Sequence, residues 1–317
     1  MNRRNFLQTT AGFGLGLTLC SNLFVSRAEA TTGAGRIPYA AKFADRHWMW
    51  GHDSGQYDGP NGVYNIPLSP NITMAEAIRY MNIPNVCVIR PGHPDAEYRS
   101  QFRDVKRIAW TIAMGSHDSY ESQKNYVFSL FNEMPNLTGV YLDDFFHGGE
   151  DLKVQTEAGE IATCPALLSY DEIRALHEEL KPQADRPNAV DLAIVLYSHQ
   201  LRPSIVPMLN QAEVTSFWTW TGKDVMKLRE NFRTFREMCP NKRTLLGLYM
   251  WDFGGRQPID LEFMKYQLDF ALELFRKGEI EGTIFHCTPL CNKGLEAVEY
   301  SKKWIEETKD EVANQKI

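Results

Sequence analysis

The chain has 317 residues, is 43% hydrophobic and carries a formal charge of −6, long enough for one large domain with a substantial core. The acidic balance argues against a nucleic-acid partner, because such binding depends on Lys and Arg neutralising phosphates. After residue 30 no apolar run is long enough to span a bilayer.

Residues 1–30 read as a cleavable export signal. Arg3 and Arg4 stand at the charged start, a mildly apolar stretch follows from 11 to 19, and Ala28-Glu29-Ala30 supplies the small-residue end. The arginine pair followed closely by Phe6-Leu7 resembles the twin-arginine class of bacterial signals. That resemblance implies the twin-arginine translocase as a partner during export, and a periplasmic or extracellular destination. The segment holds three arginines and one glutamate, so the expected mature domain, 31–317, carries −8. Five cysteines follow the signal. The number is odd, so at least one is unpaired within the chain; Cys287 and Cys291 are either bonded to each other or free thiols.

Strand patterns recur at 47–52, 85–90, 108–114, 138–143, 192–198, 214–220, 244–251 and 283–287. Helical spacing is clearest at 120–134, 170–180, 225–238, 261–275 and 295–305. Leu261, Met264, Leu268, Leu272 and Phe275 form one apolar stripe, read as core packing. Ser169 with Glu172 three residues on predicts a capping box, and Asp260 an N-cap. Strict alternation of strand and helix implies parallel strands with helical crossovers. Eight strands favour a closed (β/α)8 barrel, a TIM barrel, in a single α/β domain over an open sheet. The turn after the first strand, Gly51-His52-Asp53-Ser54-Gly55, lacks the glycine spacing of a dinucleotide site. Two long strand-to-helix loops, 53–73 and 145–168, stand where a barrel shapes its pocket.

Active sites of such barrels are built at the C-terminal ends of the strands, and a polar, aromatic rim collects there. The first strand offers His52 and Asp53, the second Arg90 and His93, the third His117 and Asp118. The fourth runs Leu137-Thr138-Gly139-Val140-Tyr141-Leu142 into Asp143 and Asp144, with His147 beyond. Tyr197 and His199 follow the fifth strand, Trp218 and Trp220 the sixth, Tyr249, Trp251 and Asp252 the seventh, and His286 the eighth. Seven of the eight histidines fall at the first strand or at strand ends. His47 begins its strand and reads as structural; His177, within a helix, reads as solvated. Stacking rings beside carboxylates and imidazoles suit a sugar, whose faces are apolar and whose edges hydrogen-bond. Scaffold alternatives accompany the rim: Arg90 paired with Asp53 or Asp118, and Trp218 or Trp220 filling the barrel.

Two adjacent carboxylates repel, which raises the pKa of one of them and suits acid/base catalysis. Successive strand residues point to opposite faces, so both reach one pocket only if the backbone turns out of the strand near Asp143.

The Asp143-Asp144 pair, after an apolar fourth strand and before Phe145-Phe146, resembles the O-GlcNAcase and hyaluronidase-like family of barrel β-N-acetylglucosaminidases. The resemblance implies a glycoside hydrolase in which the acetamido oxygen of the substrate is the nucleophile. It implies that Asp143 orients and polarises the acetamido group and that Asp144 is the general acid, then the base. No cofactor is implied. Glycosidases with an enzyme nucleophile would need a second carboxylate across the pocket, for which Asp252 and Asp118 are candidates. A metal-dependent sugar isomerase or hydrolase is the second reading, using His52, His117, His199 and His286 with nearby aspartates as ligands. A barrel that only binds glycans is the third.

Overall fold

A computed structural model describes residues 41–55, 57, 62–68, 71–114 and 119–313; the expected signal lies outside them. Ten strands are present among the described residues. They are β1 (His47–Gly51), β2 (Asn85–Val88), β3 (Arg107–Met114), β4 (Leu137–Asp143), β5 (Leu152–Thr156), β6 (Gly159–Thr163), β7 (Asp191–Tyr197), β8 (Val214–Trp218), β9 (Arg243–Tyr249) and β10 (Gly282–His286). The helices are α1 (Met74–Met81), α2 (Ala96–Ser100), α3 (Tyr120–Ser129), α4 (Tyr170–Leu180), α5 (Val206–Leu209), α6 (Leu228–Met238), α7 (Leu261–Lys277) and α8 (Glu296–Thr308).

Eight strands close into one parallel barrel in the order β1-β10-β9-β8-β7-β4-β3-β2. Each expected strand is one of these, to within two residues at either boundary. The strands are buried almost throughout, as a sheet covered by helices outside and side chains inside must be. The N-terminal starts follow local chemistry. Ser169 and Glu172 form the expected capping box of α4, and the Asp260 side chain accepts from the Glu262 amide at the start of α7. A further capping box, Thr73 with Glu76, opens α1. The buried face of α7 is wider than the expected stripe: it includes Gln267, Phe270, Ala271 and Leu274, whereas Leu261 and Leu272 are only partly covered. Gln267 is buried for a reason. Its amide accepts from Tyr249 N at 3.1 Å and donates to Tyr249 O at 3.2 Å, satisfying the backbone where β9 ends.

Aromatic side chains fill the barrel. Trp50 stands edge-on to Tyr141 and to Trp218, at centroid distances of 5.2 and 5.3 Å. The Trp218 indole donates to Ser216 Oγ at 2.8 Å, and Tyr141 Oη bonds the same hydroxyl. His47 is structural, as expected: it is fully buried with Nδ1 2.8 Å from Thr283 Oγ1. His177 is not simply solvated, since Nδ1 lies 3.1 Å from Glu213 Oε1. The loop 145–168 is not structureless. It folds out as the antiparallel hairpin β5–β6, with one face exposed and the other mostly half-buried. The five described cysteines are buried, and none of them forms a disulfide with another. No helix among the described residues is long and apolar enough to cross a membrane.

Candidate active site

The strand β4 ends at Asp143, and the next residue, Asp144, has φ +46°. Asp is one of the few side chains that enters this left-handed region at modest cost. The reversal breaks the strand alternation, and both carboxyl groups line one cavity of about 500 Å³ at the barrel mouth. The turn demanded by the sequence is therefore present, one residue later than its expected centre.

The two aspartates differ sharply in surroundings. Asp143 is 6% exposed and its Oδ1 has no hydrogen-bond partner, whereas Asp144 is exposed and its Oδ1 accepts from the Tyr197 hydroxyl at 2.9 Å. Burial first, and the neighbouring Asp144 charge second, push the Asp143 pKa well above the usual carboxylate range. Both effects favour a proton on Asp143.

The other walls are neutral hydrogen-bonding groups and rings. Burial pushes the phenols of Tyr57 and Tyr197 upward, so each keeps its proton to donate. Burial, then the nearby His52, lowers the pKa of His286 well below the ordinary value, and its Nδ1 has no partner. The Trp50 indole donates to His52 Nε2 at 2.7 Å. An indole nitrogen can only donate, so His52 accepts there and a neutral ring carries its proton on Nδ1. His199 stacks on Tyr197, 5.6 Å between centroids, and loss of hydration lowers its pKa. Trp220 stands edge-on to Tyr64, Tyr197 and Tyr249 at 6.0–6.2 Å, leaving a half-buried ring face in the cavity.

Asp143, Asp144, Tyr197, His199, Trp220 and His286 thus line the cavity as expected of rim residues. Several others do not, each because its polar atoms are committed elsewhere. Arg90 is ion-paired with Asp53 and lies over the Tyr98 ring, while Tyr98 Oη donates to Asp53 Oδ1 at 2.7 Å. Trp218 is the barrel filler and Trp220 the rim residue. The Trp251 indole donates to Tyr64 O at 3.0 Å, bracing the loop that carries Tyr64. Asp252 Oδ1 accepts from the Gly222 and Gly255 amides at 3.0 and 2.7 Å, tying two loops together. His52 lies behind the wall, in edge contact with Tyr57 at 4.4 Å. His117 and Asp118 lie outside the described residues.

Sequence reasoning missed Trp50, Tyr57, Tyr64, Phe146, Gln200 and Phe253, all of which line the cavity. Trp50 carried a usable signal, being two residues before His52 on the same strand face. Tyr57 and Tyr64 sit in an irregular loop, where no periodicity points them inward. Among the described residues, no three His, Cys, Asp or Glu side chains are placed to hold a metal ion.

No family model matches the chain. Among solved structures it is similar to the catalytic domain of a hyperthermophilic chitinase from Pyrococcus furiosus, at 13% identity and TM-score 0.51, covering 86% of this chain and 99% of that one. Active domain 2 of the thermostable chitinase from the same organism, complexed with chito-oligosaccharides, gives 13% identity and TM-score 0.50, covering 86% and 98%. A Bifidobacterium dentium β-glucuronidase, complexed with coumarin-3-O-glucuronide, gives 13% and 0.51, covering 81% of this chain and 42% of that one. At such identities the likeness is one of fold, the (β/α)8 barrel that the described residues form.

Proposed function

We propose that the protein is an exported glycoside hydrolase acting on an N-acetylhexosaminide through Asp143 and Asp144. One observation carries the reading: these two are the only carboxylates among the described residues that line the cavity. A retaining enzyme with its own nucleophile needs a second carboxylate about 5 Å across the pocket, and an inverting one about 6.5–9.5 Å away. Of the two candidates for that role, Asp252 is occupied by two backbone amides, and Asp118 lies outside the described residues. A pair of adjacent carboxylates fits a substrate that supplies its own nucleophile. The acetamido oxygen attacks the anomeric carbon as the C1–O bond breaks. The deep Asp143 orients the acetamido N–H, and Asp144, at the mouth, protonates the departing oxygen and then deprotonates the incoming water.

The pair carries one proton through this cycle. Before substrate binds, burial keeps it on Asp143. When an acetamido N–H donates to Asp143, the ionised form is favoured there, and the proton exchanges to Asp144. Trp220, Tyr64, Tyr57 and Phe253 supply stacking faces for the ring. The similarity to a chitinase domain seen with chito-oligosaccharides supports trying such sugars first.

The test is a screen of purified protein against aryl glycosides that includes N-acetylhexosaminides, together with metal analysis. Turnover of an N-acetylhexosaminide without bound metal supports the proposal. Tightly bound zinc with no glycosidase activity would favour the metal-dependent reading, and saturable sugar binding without turnover the glycan-binding one. Export through the twin-arginine route is part of the proposal. Replacing Arg3 and Arg4 by Lys should retain the protein in the cytoplasm on cell fractionation, and undiminished export would overturn that route.

A further inference from the structure

A second cavity, of about 290 Å³, adjoins the first and shares the segments 146–148 and 199–200 with it. Leu201 and Arg202 line only the second. Its two walls are the chain leaving Asp144 and the chain leaving Tyr197, the hydrogen-bond partner of Asp144. Whatever occupies this space therefore lies on the Asp144 side of the reacting centre.

The walls are built, not merely adjacent. Gln200 Nε2 donates to Phe146 O at 3.0 Å, and Arg202 Nη1 donates to Gly149 O at 2.8 Å. Behind them the hairpin insertion closes on itself: Phe146 bridges to Ala166, and the His147 amide donates to Pro165 O at 2.8 Å. The Cys164 amide then donates to Ser204 O at 3.1 Å, fastening the hairpin to the loop after β7. Such preformed concavity, with a few polar groups among apolar ones, characterises ligand sites. The polar groups are the imidazoles of His147 and His199 and the guanidinium of Arg202; Phe146 and Leu201 are the apolar surface. The site has little net charge to offer an anion, because Arg202 lies 3.4 Å from Asp151.

We propose that this cavity holds the sugar unit on the leaving-group side of the scissile bond, so that the substrate is an oligosaccharide with an uncharged pyranose at that position. The inference rests on the hydrolase reading above, which puts Asp144 at the departing oxygen. It adds that the insertion carrying β5–β6 exists to build the leaving-group subsite.

A glycosyl fluoride tests it, because its leaving group is one atom and needs no such subsite. With the sugar identified by the aryl-glycoside screen, kcat/KM is measured for the fluoride and for the corresponding trisaccharide. Leu201→Trp, which fills the cavity, and Arg202→Gln, which removes a donor, should each lower kcat/KM for the trisaccharide by about tenfold or more. Both should leave the fluoride within about twofold. Equal losses on both substrates, or an unaffected trisaccharide, would overturn the subsite while leaving the hydrolase reading intact. No turnover of any glycoside in the screen would remove the hydrolase reading and the subsite with it.

Discussion

The two ends of the barrel treat buried charge in opposite ways. At the N-terminal end, Arg243 meets Asp191 at 2.8 and 2.9 Å and Glu281 at 2.6 and 2.8 Å, two bidentate pairs from one guanidinium. Arg107 donates to Asn85 Oδ1 at 3.1 Å beside them. Although burial opposes it, Arg243 holds the Glu281 pKa below its ordinary value. At the C-terminal end, Asp143 Oδ1 and His286 Nδ1 are buried with no partner. Both ends are enclosed, so enclosure does not explain the difference. Paired charges fix the starts of β3, β7 and β9, whereas unpaired groups cost stability and are retained where a ligand can satisfy them.

Breaking each end should therefore give different phenotypes. The largest effect is expected at the mouth. Asp144→Asn should lower turnover of substrates with poor leaving groups by about 10²–10⁴-fold and spare activated aryl glycosides more, with the fold retained. Asp143→Asn should depress both kinds of substrate, since it removes transition-state stabilisation and not leaving-group protonation. Steady-state kinetics on a pair of leaving groups separates the two; near wild-type rates in both variants would make the pair scaffold.

At the opposite end, Arg243→Ala should cost about 3–5 kcal/mol of stability by stranding two carboxylates. Denaturant unfolding measures this, and the molecules that remain folded should keep their activity. A smaller loss is expected between the ends. A Cβ on Gly247 would stand 2.1 Å from the Trp218 ring, so Gly247→Ala should cost about 1–3 kcal/mol by overpacking. An unchanged Tm would show that the ring can move aside.

The smallest effect sharpens the contrast. The folded state raises the Asp143 pKa, so it binds a proton that the unfolded chain has released. The contribution of Asp143 to stability must then fall as pH rises above the unfolded carboxylate value of about 4, by at most about 1.4 kcal/mol per pH unit, until the folded group ionises. Asn carries no such proton. The stability of Asp143→Asn relative to wild type should therefore grow with pH over that window, as followed by Tm from acid to neutral pH. A constant difference would mean that Asp143 is ionised in the fold.

Much of this was legible in the sequence, and unevenly so. All eight barrel strands were readable because each is a short apolar run between helical periods, and Asp143 and Asp144 were readable because they interrupt one. Trp218 and Trp220 could not be assigned from their spacing. One meets the Gly247 backbone and the other meets the cavity, a distinction made by the neighbouring strand. Asp252 looks like a catalytic carboxylate in sequence and Asp53 like a rim residue; the Gly222 amide that donates to the first and the Tyr98 hydroxyl that donates to the second come from segments distant along the chain. The β5–β6 hairpin is hard to read as strand because one face is exposed and the other only half-buried, with Val154 and Ile161 its only large apolar side chains that are even partly covered. Gly159, at φ +120°, was the local clue to its turn.

The left-handed backbone at Asp144 also limits how this site can change over evolutionary time. At φ +46° the tolerated residues are Asp, Asn and Gly. If Asp144 is the acid proposed above, a lineage can silence it through Asn with no conformational toll, turning a hydrolase into a sugar-binding relative in one step. Exchange for the longer carboxylate of Glu would strain the chain and overreach the Tyr197 hydroxyl at once. The backbone at this one position thus leaves loss of catalysis open and closes the commonest route to an alternative acid.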